Sequence, residues 1–212
     1  MKLGATKLTK NAAELGYARF LYGARQNTVI EHTFYRLSLK HLHHFPPPID
    51  DTLRDIIVQW MKDSAGLDAV IEQVRHAFAN VKLEDGIGLI EAQGLDDYLS
   101  GDALAEFRAS DERDDWQRLT VDTLNACESS PCFMDAKGLR FILPALLIAI
   151  LNDQYYHGPL TYLLHRMPAG LFSILTAKQK SAIVACLELT KKHPFLDAQG
   201  VAEIDDMIAH VQ

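Results

Sequence analysis

The chain has 212 residues, of which 48% are hydrophobic and 23% charged, and its net charge is −7. This is the composition of a folded globular protein with room for a sizeable core, so a disordered chain is excluded. The longest apolar run falls short of the roughly 18–20 residues needed to cross a bilayer, and the excess of acid argues against general binding to nucleic acid.

From the N-terminus, residues 11–24 carry Leu15, Ala18, Leu21 and Tyr22 at mixed helical spacing, with Gly23 near the end. Residues 28–44 place Ile30, Phe34, Leu37 and His41 three or four apart. Both stretches predict helices. Pro46, Pro47 and Pro48 then favour an extended segment, so residues 1–45 are expected to form a basic N-terminal helical hairpin and residues 49–212 the main domain. Leu53, Ile56, Ile57, Trp60 and Met61 mark the next helix, and Leu67, Val70, Ile71, Val74 and Phe78 the one after, to about Val81. Residues 84–131 are richer in Asp and Gly and predict short helices near 88–93, 102–109 and 121–127.

The stretch from Phe133 to Leu151 is the expected centre of the fold, because from Phe141 onward no side chain in it is charged or carries an amide. A helix apolar on every face is one surrounded by core. Asp135 is placed to cap it, Gly138 to admit a close neighbour, Pro144 to kink it, and Ala145 with Ala149 to form a narrow packing face. Tyr155 to Pro159 reads as a turn and residues 160–166 as a short helix. Thr176 and Gln179 have the spacing of a capping box before Ile183, Val184, Leu187 and Leu189. A last helix over 201–211 carries Ile204, Ile208 and Val211 on one face. No segment alternates with period two, so the expected fold is all-α. It is a single multi-helix globular domain of about eight to ten helices around a central buried, proline-kinked helix near residues 136–152.

Residues from about 70 to 189 resemble a bacterial family catalogued only as a domain of unknown function. The likeness is carried by Ala77 to Val81, Glu91-Ala92, Asp96-Asp97-Tyr98, Ala109 to Trp116, the run from Ser129 through Ala145, and Leu175 to Gln179. Within it lies Phe133-Met134-Asp135-Ala136-Lys137-Gly138-Leu139-Arg140-Phe141-Ile142-Leu143-Pro144-Ala145. The resemblance implies no activity.

Charge is distributed unevenly. Residues 1–45 hold seven Lys/Arg against two Glu, a net +5, while residues 81–131 hold four against thirteen Asp/Glu, a net −9. The acidic middle is therefore the expected binding surface for a basic protein partner. Its named residues are Asp96, Asp97, Tyr98, Asp111, Glu112, Asp114, Asp115 and Trp116, which combine carboxylates that steer a cation with aromatics favoured at interfaces. The competing expectation is plain turn chemistry, with Asp111 and Asp114 capping short helices and Trp116 lying under the central helix.

Catalytic parts are not assembled in the sequence. His41, His43 and His44 sit where a helix ends, and a histidine there is favoured by the helix dipole alone. Glu72 and His76 read as a surface pair, and Asp153 with His157 lacks a nucleophile. Gly86-Ile87-Gly88 lacks the third glycine and lysine of a phosphate loop. No catalytic residue, cofactor or metal is expected. Cys127, Cys132 and Cys186 form no CxxC pair, and the N-terminus has no apolar signal core, so reduced thiols and a cytoplasmic place are expected. The leading expectation is a protein-binding module of the immunity or inhibitor kind. The alternative is a metal-dependent enzyme or sensor using a His/acid cluster, and a third reading is a homodimer in which the basic hairpin docks on a second copy.

Overall fold

The computed structural model describes residues 66–152, 154–155, 170–192 and 198–212. The predicted N-terminal hairpin, the helix of Leu53 to Met61, the helix over 160–166, His41, His43, His44, Asp153 and His157 lie outside the described residues. Among the described residues there are eight α-helices and no strand. They are α1 (Leu67–Phe78), α2 (Leu89–Asp96), α3 (Gly101–Ala109), α4 (Val121–Ala126), α5 (Ala136–Leu151), α6 (Gly170–Ile174), α7 (Ala177–Thr190) and α8 (Ala198–Val211), with 3-10 turns at Trp116–Arg118 and Ser130–Phe133.

α5 is the centre, as its sequence requires. Every residue from Phe141 to Leu147 is buried, and so are Ala149, Ile150 and Leu151. Asp135 caps it, its Oδ1 accepting from the Gly138 N–H at 2.7 Å. Pro144 lies inside the helix without ending it. Truncating one of the wholly buried side chains, such as Leu143→Ala, removes apolar contacts worth about 2–5 kcal/mol.

Among the described helices, α1, α4, α6 and α7 pack directly against this post. α1 buries Leu67, Ile71, Val74 and Phe78, spaced four, three and four apart, and packs against α5 and α7. Gln73 on α1 donates to Ser181 Oγ on α7 at 3.3 Å. α7 opens with the expected capping box: Thr176 Oγ1 accepts from the Gln179 N–H and Gln179 Oε1 from the Thr176 N–H. α8 lays Ile204, Met207, Ile208 and Val211 against α7, and begins at Ala198, earlier than its spacing predicted. Glu72 bonds Arg75 at 2.7 Å, so the pairing expected with His76 gives way to the i,i+3 neighbour.

Candidate functional site

The two acidic stretches have different fates in the fold. Asp111 reaches across to the start of α2, where its Oδ1 accepts from the Ile90 N–H at 2.7 Å and its Oδ2 from the Glu91 N–H at 3.1 Å. It is an N-cap delivered from a distant part of the chain. The residue at the usual cap position is Gly88, and a Cβ there would stand 2.1–2.4 Å from the Asp111 carboxylate. Burial holds the Asp111 carboxyl above the usual carboxylate range, against the pull of its two N–H partners.

The residues after it are equally occupied. Glu112 accepts from the N–H groups of Asp114 and Asp115 at 2.9 and 3.0 Å, which lowers its pKa. Asp114 is held low by its hydrogen bond to Lys82 at 2.8 Å. Asp115 caps the turn Trp116–Arg118 by accepting from the Gln117 N–H. Trp116 is only 3% exposed, and its indole N–H donates to the Phe78 carbonyl at 2.8 Å, at the end of α1. Its ring fills core space and its one donor is used internally. Residues 111–116 form a structural clip between α1, α2 and α5.

Asp96, Asp97 and Tyr98 are placed differently. The Tyr98 N–H donates to the Leu95 carbonyl at 3.1 Å and the Leu99 N–H to the Gly94 carbonyl at 2.8 Å, the paired bonds of a Schellman helix end. The position between them belongs to a left-handed residue, ordinarily glycine. Here it is Tyr98, with φ 59° and 95% of its surface exposed. α3 follows at once and has no buried residue, resting on α2 with Leu104 and Phe107 beside Gly94. Its Asp102 and Glu106, four apart and exposed, extend the acidic surface, whereas Arg108 turns to Glu91 at 3.0 Å. Among the described residues, none of Asp96, Asp97, Asp102 and Glu106 pairs with a cation. Sequence reasoning passed over Asp102 and Glu106, although like charges at i and i+4 on a short helix were a usable signal.

A second cluster forms where three stretches of the sequence converge. The turn over residues 83–88 crosses the first turn of α5 so closely that a Cβ on Gly138 would lie 1.9 Å from the Ile87 carbonyl oxygen. The Ile87 N–H shares Asp135 Oδ1 at 3.2 Å, and the Leu83 N–H donates to the Arg113 carbonyl at 2.9 Å. On this crossing Glu84 has φ 58° and its carboxylate bridges Arg140 Nη2 at 2.7 Å and Lys137 Nζ at 3.3 Å. Arg113 Nη2 donates to the Glu84 carbonyl, and Lys137 pairs also with Asp85. These cations hold Glu84 and Asp85 below the usual carboxylate range, chiefly through Arg140 and Lys137 respectively.

A groove of about 180 Å³ runs beside the clip, floored by Trp116, Leu119, Val121, Ala145 and Ala149 and edged by Arg75 and Gln154. Ala145 and Ala149, expected to form a narrow packing face, are buried and line this groove together with Val121 and Leu124 of α4. Cys127 and Cys186 are buried and Cys132 is exposed, and burial pushes the Cys186 thiol up to about 12. Among the described residues no group of three or more His, Cys, Asp or Glu is arranged to hold a metal ion, and no helix is long and apolar enough to cross a membrane.

The pattern of one buried post, a capping clip and an outlying acidic helix spans residues 66–203, which are matched by the model of a family described as Family of unknown function (DUF6714). The chain belongs to this family. Among curated proteins and solved structures, none matches it. The DUF6714 region covers α1 through α7 and enters α8, a wider span than residues 70–189 over which the likeness was read. It contains both the Tyr98 turn and the Glu84 crossing.

Proposed function

We propose that this DUF6714 protein is a protein-binding module that takes a basic partner on the face made by the end of α2 and by α3. The observation that carries the reading is Tyr98, held almost fully exposed in a left-handed conformation directly after Asp96 and Asp97 and just before α3 with its exposed Asp102 and Glu106. A bulky residue in that conformation costs about 1–2 kcal/mol, and such costs cluster at functional positions. Tyrosine is a favoured anchor in interfaces, and carboxylates without internal cations keep their field for a partner. An immunity or inhibitor protein covering a basic toxin fits this surface, as the finer form of the reading. Of the residues expected from sequence, Asp96, Asp97 and Tyr98 stay in the proposed surface and Asp102 and Glu106 join it.

The test is affinity capture from the native host with the unaltered protein, with Tyr98→Ala combined with Asp97→Lys, and with Glu203→Lys on α8 as a charge-matched control. One partner should be captured by the unaltered protein and the control, lost with the double variant, and released by salt. Equal capture by all three overturns the reading. Tyr98→Gly separates binding from folding: relief of the left-handed strain should stabilise the fold by up to about 1 kcal/mol in denaturant titration while binding weakens.

A further inference from the structure

The Glu84 crossing carries an inference independent of the acidic face. Arg113, Lys137 and Arg140 come from two distant stretches of the sequence and all contact one residue, Glu84. Their donors are only partly used. The Glu84 carboxylate takes Arg140 Nη2 with one oxygen and Lys137 Nζ with the other, and leaves Arg140 Nε buried with no hydrogen-bond partner. Arg113 uses Nη2 on the Glu84 carbonyl, while its Nη1 is also buried without a partner. A guanidinium fork matches an oxyanion that engages two adjacent N–H groups together, and an unmet buried donor is costly. A planar carboxylate tethered to the backbone at Glu84 has two oxygens and fills Arg140's fork by half. A tetrahedral group with three or four oxygens has enough acceptors for Nε and Nη2 of Arg140, Nζ of Lys137 and Nη1 of Arg113.

The tethered carboxylate is also held at a cost. Glu84 is a non-glycine residue at φ 58°, its side chain is about half exposed at 49%, and with Asp85 it forms the exposed tip of a turn whose Leu83 and Gly86 are buried. Moving this side chain outward breaks no core packing. It would leave Lys137 paired with Asp85 alone and Arg140 with no ion pair among the described residues, a local gain of positive charge within an acidic protein.

We propose that Arg113, Lys137 and Arg140 form a binding site for a phosphate group, with the Glu84 carboxylate as an internal stand-in that the phosphate displaces. Competition between a tethered and a free anion sets the affinity, so removing the tethered charge strengthens binding without adding any contact.

Titration calorimetry on the full chain with inorganic phosphate tests this. Glu84→Gln should bind phosphate about tenfold more tightly than the unaltered protein, or more, because the competing charge is gone. Asp206→Asn on α8 changes net charge equally and should leave the affinity unchanged. In the Glu84→Gln background, Arg140→Lys and, separately, Arg113→Lys keep the charge but lose the planar donors, and each should weaken binding at least about tenfold. Circular dichroism checks that each variant is folded, and either arginine variant alone suffices. Methyl phosphate narrows the source: binding like inorganic phosphate shows that the site admits a phosphomonoester, and exclusion assigns free phosphate. The proposal is overturned if Glu84→Gln gains nothing, if Asp206→Asn gains as much, if folded arginine-to-lysine variants bind unchanged, or if acetate binds as tightly as phosphate.

Discussion

Asp111 shows how one carboxylate can support the fold and burden it at once. It caps α2 through the Ile90 and Glu91 N–H groups, yet burial raises its pKa. A carboxyl whose folded pKa lies above its unfolded value adds stability that is fully present below the unfolded value and lost as pH rises through the folded one. Glu84, Asp85, Glu112 and Asp114 have the opposite sign, and their contribution is lost as pH falls through their lowered values. Asp111→Asn keeps an acceptor at the cap and removes the charge. The unaltered protein should therefore gain stability relative to Asp111→Asn as pH is lowered from 7 toward 4, measured by urea unfolding at each pH. A difference that stays flat would mean that the carboxyl titrates alike in both states. Gly138 is a second residue whose importance is steric. Gly138→Ala would drive a Cβ into the Ile87 carbonyl oxygen at 1.9 Å, a backbone atom that cannot turn aside as a side chain could. The expected cost is about 3 kcal/mol or more, seen as a fall in Tm on the order of 10 °C.

At the scale of elements, the described helices divide into those held by the core and one that is not. α5 buries nearly its whole surface and α1, α7 and α8 a full stripe each, whereas α3 buries no residue. Local opening free energy follows buried apolar contact, so α3 amides should exchange with deuterium well before those of α5 and α7 in native-state hydrogen exchange. A partner seated on the acidic face should slow that exchange selectively. If α3 is as protected as α5 in the free protein, the view of α3 as an outlying arm fails. The helical spacings made α1, α5, α7 and the capping box of Thr176 and Gln179 legible in advance, because each is decided by residues three or four apart. The Schellman end at Tyr98 was not legible, since a tyrosine stands where the usual glycine signal would be.

At the scale of the whole molecule, thiol chemistry reports how cooperative the core is. Cys132 is exposed, Cys127 is buried, and Cys186 is wholly enclosed with its thiol pushed up to about 12. In native protein near neutral pH, an aromatic disulfide reagent should label Cys132 quickly and Cys186 only at the rate of global unfolding, while denaturant exposes all three cysteines. Rapid labelling of Cys186 in native buffer would show that the α7 core opens locally. The same molecular scale decides the meaning of the acidic middle. Its net −9 was visible in composition, but which carboxylates remain available was not. Asp111, Glu112, Asp114 and Asp115 are engaged within the fold, and Asp96, Asp97, Asp102 and Glu106 are left without cations among the described residues.

By itself the sequence determined the helical class, the central position of α5, its Asp135 cap and the close approach at Gly138, because periodicity, capping and the absence of a side chain act over a few residues or on one face. Only the tertiary structure decided that Asp111 caps a distant helix, that Trp116 belongs to the core and Tyr98 to the surface, and that Arg113, Lys137 and Arg140 meet at Glu84. Those facts depend on which distant backbone groups and charges are brought within hydrogen-bonding reach, and no local spacing encodes that distance.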